Sequence, residues 1–159
     1  MTTQNKHTDL KASELIKYRA LVMATLDYYI ENFSGGEYFK SLKLQTEEHF
    51  KKGRLTILKQ WFRDCTEQQV ETLDFKFNDY LQNKTGYKLD IFQDYYERVD
   101  KILTKGKIST DNQFYDVSSM VDKLCQTEPI DTMKINNLNS LLTDFEKRKT
   151  KPRRNKNDA

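Results

Sequence analysis

The chain has 159 residues, 32% of them charged and 36% hydrophobic, with a formal net charge of +3. That length fits one domain, and nine Tyr, nine Phe and one Trp are more aromatic surface than a disordered chain carries. Two prolines and five glycines argue against a loop-rich or β-rich architecture, and no run approaches the roughly 20 apolar residues of a membrane span.

Helical periodicity dominates from the start. After a flexible lead-in over residues 1–8, Leu15, Val22, Leu26, Tyr29 and Phe33 follow helical spacing, with Ile16, Met23 and Ile30 as an adjoining stripe. They predict one long helix from about Asp9 to Phe33, ended by Gly35 and Gly36. A second helix is expected from about Glu37 to Lys52, carrying Tyr38, Phe39, Leu42 and Phe50, with Gly53 as terminator. A short third helix follows from about Leu55 to Asp64 with Leu55, Leu58, Trp61 and Phe62. Thr66 and Gln69 have the spacing of a capping box and predict the start of a fourth, with Val70, Leu73, Phe77 and Leu81 inside and Gly86 at its end.

Asp90 and Gln93 predict the cap of a fifth helix containing Ile91, Phe92, Tyr95, Val99, Ile102 and Leu103, stopped by Gly106. Thr110 and Gln113 form another capping box, ahead of Phe114, Val117, Val121, Leu124 and Cys125. Pro129 breaks the chain, and Asp131 can cap a last helix burying Ile135, Leu138, Leu141, Leu142 and Phe145. The last two helices, joined by Thr127-Glu128-Pro129-Ile130, read as an antiparallel hairpin. The expected fold is all-α: an irregular bundle of six or seven helices in one domain over residues 9–146, with a possible subdomain break near 86–90.

Residues 147–159 read as a disordered basic tail. Lys147, Arg148, Lys149, Lys151, Arg153, Arg154 and Lys156 face only Asp158, so the segment carries +6 and the remainder −3. The body is mildly acidic, which turns the preferred partner from nucleic acid to protein.

Signatures of chemistry are sparse. Zinc needs clustered Cys or His, whereas Cys65 and Cys125 stand far apart and read as buried free thiols. His7 and His49 are the only histidines, and Glu47-Glu48-His49 has the wrong spacing for one helical face of a di-iron site. Ser34-Gly35-Gly36-Glu37 lacks the Lys-Ser/Thr of a phosphate loop. No metal or cofactor is expected. A non-enzymatic protein is the leading expectation, with an enzyme whose carboxylates meet only in the fold as a further alternative. The polar N-terminus has no apolar signal segment, so a cytoplasmic protein without a membrane partner is expected.

Two binding readings remain. Tyr28 with Asp27 and Glu31, and Tyr95-Tyr96 with Asp94 and Glu97, would form an acidic, Tyr-bearing helix face. Tyrosine adds contact area at little entropic cost, and the carboxylates suit a basic protein partner. An adaptor, a regulatory subunit or a toxin-neutralising protein is the leading expectation. The alternative is a nucleic-acid-binding accessory protein. It would use Lys51, Lys52, Arg54, Lys59 and Arg63, a stretch without an acid from His49 to Arg63, together with the seven basic residues of the tail.

Overall fold

The computed structural model describes residues 3–151, with side chains from residue 5 onward. These residues form seven α-helices and no strand. The chain divides into two compact units, residues 1–91 and 92–159.

Unit 1 is built around its first helix. α1 (Thr3–Asn32) packs against α2 (Gly36–Lys51), α3 (Leu55–Glu71) and α4 (Phe75–Thr85), and α2 also touches α3. Three neighbours require a wide apolar arc; Val22, Leu26 and Tyr29 of the first expected stripe are buried together with Leu21 and Ala24, whereas Ile16 of the second is 55% exposed. Leu21, Val22, Ala24 and Leu26 of α1 meet Phe62 of α3 and Phe77 and Leu81 of α4 in the buried core. Fully burying a Leu, Val or Phe side chain contributes roughly 1.5–3 kcal/mol each. Ion pairs fix how α1 meets α2. Arg19 Nε lies 3.0 and 3.1 Å from the two Glu47 carboxylate oxygens, and Lys43 pairs with Asp27 at 2.5 Å. The later residue of α1 pairs with the earlier residue of α2, so the two helices are antiparallel. The contacts Glu14–Lys59 (3.2 Å) and Tyr18–Phe62 (6.1 Å between rings) set α3 parallel to α1.

Unit 2 holds α5 (Gln93–Lys105), α6 (Asp111–Cys125) and α7 (Thr132–Thr150), with α6 packed on both others. Tyr95, Val99, Ile102, Val117, Met120, Leu138 and Phe145 are buried. Arg98 pairs with Asp116 (3.1 Å), and Lys149 near the end of α7 pairs with Asp111 at the start of α6 (2.5 Å). The α6–α7 hairpin is therefore antiparallel, as its short link predicts. Two expected caps are present: the Thr110 hydroxyl accepts from Gln113 N (3.2 Å) and the Asp131 carboxylate from Lys134 N (3.0 Å).

Other expected boundaries move, each for a local reason. Helix begins at Thr3, ahead of the expected start near Asp9. Thr66 and Gln69 do not start a helix; both are buried inside α3, which continues to Glu71. The Thr66 hydroxyl bonds back to the Phe62 carbonyl at 2.8 Å, which lets threonine sit in a helix interior. The chain turns later, at Leu73, a non-glycine residue with φ 53°. Asp90 does not cap α5, whose N-cap is Phe92; its carboxylate instead accepts from Asn78 Nδ2 at 2.7 Å. Lys147, Arg148 and Lys149 belong to α7. The Arg148 guanidinium donates to the Ile108 carbonyl at 2.8 Å, a contact that holds this basic stretch in the folded unit. Arg153, Arg154 and Lys156 lie outside the described residues. Cys125 is exposed and Cys65 half-buried, so the expected pair of buried thiols is not observed.

Candidate interaction site

The corner where α1 passes into α2 gathers aromatic rings. Tyr28 lies 5.0 Å from the buried Phe77 and 5.0 Å from Tyr80, ring centre to ring centre. Tyr29 stacks on Phe39 at 5.1 Å and stands 5.4 Å from Phe33; Tyr38 meets Phe39 at 5.5 Å. The sequence produces this locally. Tyr28, Tyr29 and Phe33 end one helix, Gly35 turns the chain with φ 94°, and Tyr38 and Phe39 open the next. The array runs from the core to the surface, where Phe33 is 46% and Tyr38 63% exposed.

The hydroxyls and carboxylates of this corner are largely engaged with each other. Tyr28 donates to Asp74 Oδ2 at 2.7 Å and Tyr80 to Glu31 Oε1 at 3.3 Å. Burial first, and then the carboxylate each faces, push both phenols up to about 12. They therefore remain neutral donors at physiological pH. Asp27 is held by Lys43, and Glu31 is 3.9 Å from Lys84. Glu37 pairs with Lys40 across one helical turn at 3.4 Å with its side chain 94% exposed, an arrangement worth little. Glu31 and Glu37 each have a lysine nearby but keep more exposed carboxylates than Asp27, whose side chain is 32% exposed against 51% and 94%.

The second tyrosine pair has a different setting, in unit 2. Tyr95 is 0% exposed and its hydroxyl donates to the Asp116 carbonyl at 2.6 Å. It is a core residue and offers no surface to a partner, a correction to its place among the expected docking residues. Burial is the main cause raising its phenol above the usual range, followed by the Asp116 carboxylate. Tyr96 is half-buried, with the Lys123 ammonium bonded to its hydroxyl and 4.1 Å from its ring centre. Asp94 and Glu97 are exposed on the same helix.

The basic residues also separate. Lys51, Lys52, Arg54 and Arg63 are exposed in unit 1 and form no ion pair among the described residues. Lys59 does, with Glu14, and its ammonium lies 5.3 Å from the Tyr18 ring centre. Arg54 Nη1 approaches His49 Nδ1 at 3.5 Å, and the His49 and Trp61 rings are 4.9 Å apart. In unit 2, Lys149 is paired and Arg148 bonded, whereas Lys147 and Lys151 are exposed.

No family model, curated protein or solved structure matches this chain. Among the described residues no three His, Cys, Asp or Glu side chains cluster as a metal site would require. No helix among them is long and apolar enough to cross a membrane.

Helical spacing places Phe33 and Tyr38 among the apolar residues of the first two helices and does not mark them as the accessible end of the aromatic array. The signal was available in part. Both flank the Ser34-Gly35-Gly36 turn, where a side chain has neighbours on one side only.

Proposed function

We propose that this chain is a non-enzymatic, cytoplasmic protein-binding module of the adaptor or regulatory kind, which docks a partner protein on the α1–α2 corner. The observation that carries the reading is the continuous ring array from buried Phe77 through Tyr28, Tyr29 and Phe39 to exposed Phe33 and Tyr38. Buried members fix the exposed ones in place, so little conformational entropy remains to be lost on binding. Aromatic anchors of this kind dominate interface energetics. Glu31 and Glu37 on the rim favour a partner segment that brings an apolar anchor flanked by Lys or Arg. Of the residues expected from sequence, Tyr28 and Glu31 contribute here, Tyr28 as support and Glu31 as rim.

The test is affinity capture from the native cell with nuclease treatment, comparing the full chain with Phe33→Ser/Tyr38→Ser. A protein that survives nuclease on the wild type and is lost from the variant supports the reading. A set of bound proteins that the variant retains unchanged, or that nuclease removes, sinks it. Circular dichroism of the variant establishes that it remains folded.

A further inference from the structure

Five cations of unit 1 have a local carboxylate: Arg19 with Glu47, Lys40 with Glu37, Lys43 with Asp27, Lys59 with Glu14 and Lys84 with Glu31. Several others, among them Lys11, Lys17, Lys76 and Lys88, form no ion pair among the described residues, and what distinguishes the α2–α3 turn is that three such cations adjoin there. Lys51, Lys52 and Arg54 surround Gly53, whose φ of 64° brings the end of α2 and the start of α3 into a tight reversal, and no acid lies in the first turn of α3. Helix stability does not account for Arg54, because a cation at a helix start opposes the dipole. Arg63 is also exposed, but nine residues of helix turn it to the opposite side of α3 from Arg54, so it does not share this surface.

Beside these charges are two half-buried rings. His49 sits edge-on to Trp61, and the Arg54 guanidinium meets His49. Cations free of fixed ion pairs next to aromatic and guanidinium planes are what a flexible polyanion with flat bases requires: the cations take phosphates and the planes take bases. We propose that the α2–α3 turn is a second binding surface, which holds single-stranded nucleic acid through Lys51, Lys52 and Arg54, with His49 and Trp61 against the bases. This surface is separate from the aromatic corner. The two lie at opposite ends of α2, a 16-residue helix and so about 24 Å long. The structure also narrows which basic residues serve. Lys59, Arg148 and Lys149 are engaged within their own units.

The probe is a fluorescently labelled single-stranded thymidine oligomer, titrated with the full chain by anisotropy across a range of salt. A duplex of the same length and anionic lipid vesicles serve as competitors. The expected result is single-strand binding at physiological salt that neither competitor displaces efficiently. Lys51→Glu/Lys52→Glu/Arg54→Glu weakens it by at least about tenfold, and its salt dependence becomes shallower by about 2 in log–log slope for three lost single-strand phosphate contacts. The neutralising variant Lys51→Gln/Lys52→Gln, which disturbs folding less, shows a smaller loss in the same direction. His49→Ala lowers the preference for single strand over duplex. Phe33→Ser/Tyr38→Ser binds the oligomer as the wild type does, so failure of the docking reading and failure of this one are distinguishable. Absence of single-strand binding, full binding by the charge-reversed variant, or displacement by duplex or vesicles would overturn the proposal.

Discussion

The Tyr29 hydroxyl and the Gln69 side-chain amide meet at 2.5 Å, with both residues buried. The same hydroxyl lies 2.6 Å from the Cys65 carbonyl. Gln69 Oε1 and the Cys65 carbonyl oxygen are both acceptors, so the one phenolic proton of Tyr29 is shared between them. The polar link crosses from α1 to α3 beside an apolar core. Tyr29→Phe leaves the buried Gln69 side chain unpaired and should lower the urea midpoint by the equivalent of about 1–3 kcal/mol. Gln69→Leu should lower it less, because the Tyr29 hydroxyl keeps the Cys65 carbonyl. The double variant should lose less than their sum, because no orphaned group remains on either side. Strict additivity in the double-mutant cycle would contradict the pairing.

Raised phenol pKa values make unit 1 sensitive to alkali. Tyr28 and Tyr80 titrate near 12 when folded against 10.0 for the free group, and Tyr29 is raised as well, chiefly by burial. A folded pKa above the unfolded one contributes stability that is fully present below the unfolded value and lost as pH rises through the folded one. The thermal midpoint should therefore hold up to about pH 10 and fall between pH 10 and 12, with tyrosinate absorbance rising over the same window. A midpoint independent of pH across that window would contradict the burial of these hydroxyls.

Two glycine substitutions should act in opposite directions. Gly86 closes α4 with φ 72°, and a Cβ there meets no atom within 4 Å. Gly86→Ala therefore costs backbone strain alone, about 1 kcal/mol. Gly36 opens α2 without a positive φ and also in open space. Gly36→Ala should stabilise by about 0.4–1 kcal/mol, mainly by restricting the unfolded chain. Denaturant midpoints of the two variants check the sign of each.

The end of α7 should matter to unit 2. Shortening the chain after Glu146 removes Arg148 from the Ile108 carbonyl and Lys149 from Asp111, while shortening after Lys151 keeps both. The first truncation should be less stable than the second by about 1–3 kcal/mol, the range for losing a charged hydrogen bond to a buried acceptor. Equal denaturant midpoints would show that these residues contribute nothing to the fold.

Helix type and number were legible because the apolar period and the Gly and Pro positions agree. Single polar residues were less legible, since their meaning depends on what the fold brings near them. Thr110 and Asp131 cap because solvent is their main competitor. Thr66 has the same local pattern, yet its hydroxyl turns back on α3 and Gln69 is claimed by Tyr29, 40 residues away. Asp90 is likewise held by Asn78 on α4. The tyrosine pairs show the same limit. Period alone cannot place Tyr95 inside and Phe33 at the surface, because the depth of a helical face is set by the helices that cover it. Arg148 and Lys149 read as tail because composition is blind to a carbonyl and a carboxylate about 40 residues earlier.

The central place of α1 also bears on how the unit is assembled. Its partners all follow it in the chain, and the links that hold it span long intervals: Tyr28 to Asp74 across 46 residues and Tyr80 to Glu31 across 49. During synthesis α1 leaves the ribosome with its wide apolar arc uncovered and waits for α3 and α4. At 5–20 residues per second, the interval for those links is on the order of several seconds. In that interval the apolar arc is exposed to aggregation or to a chaperone.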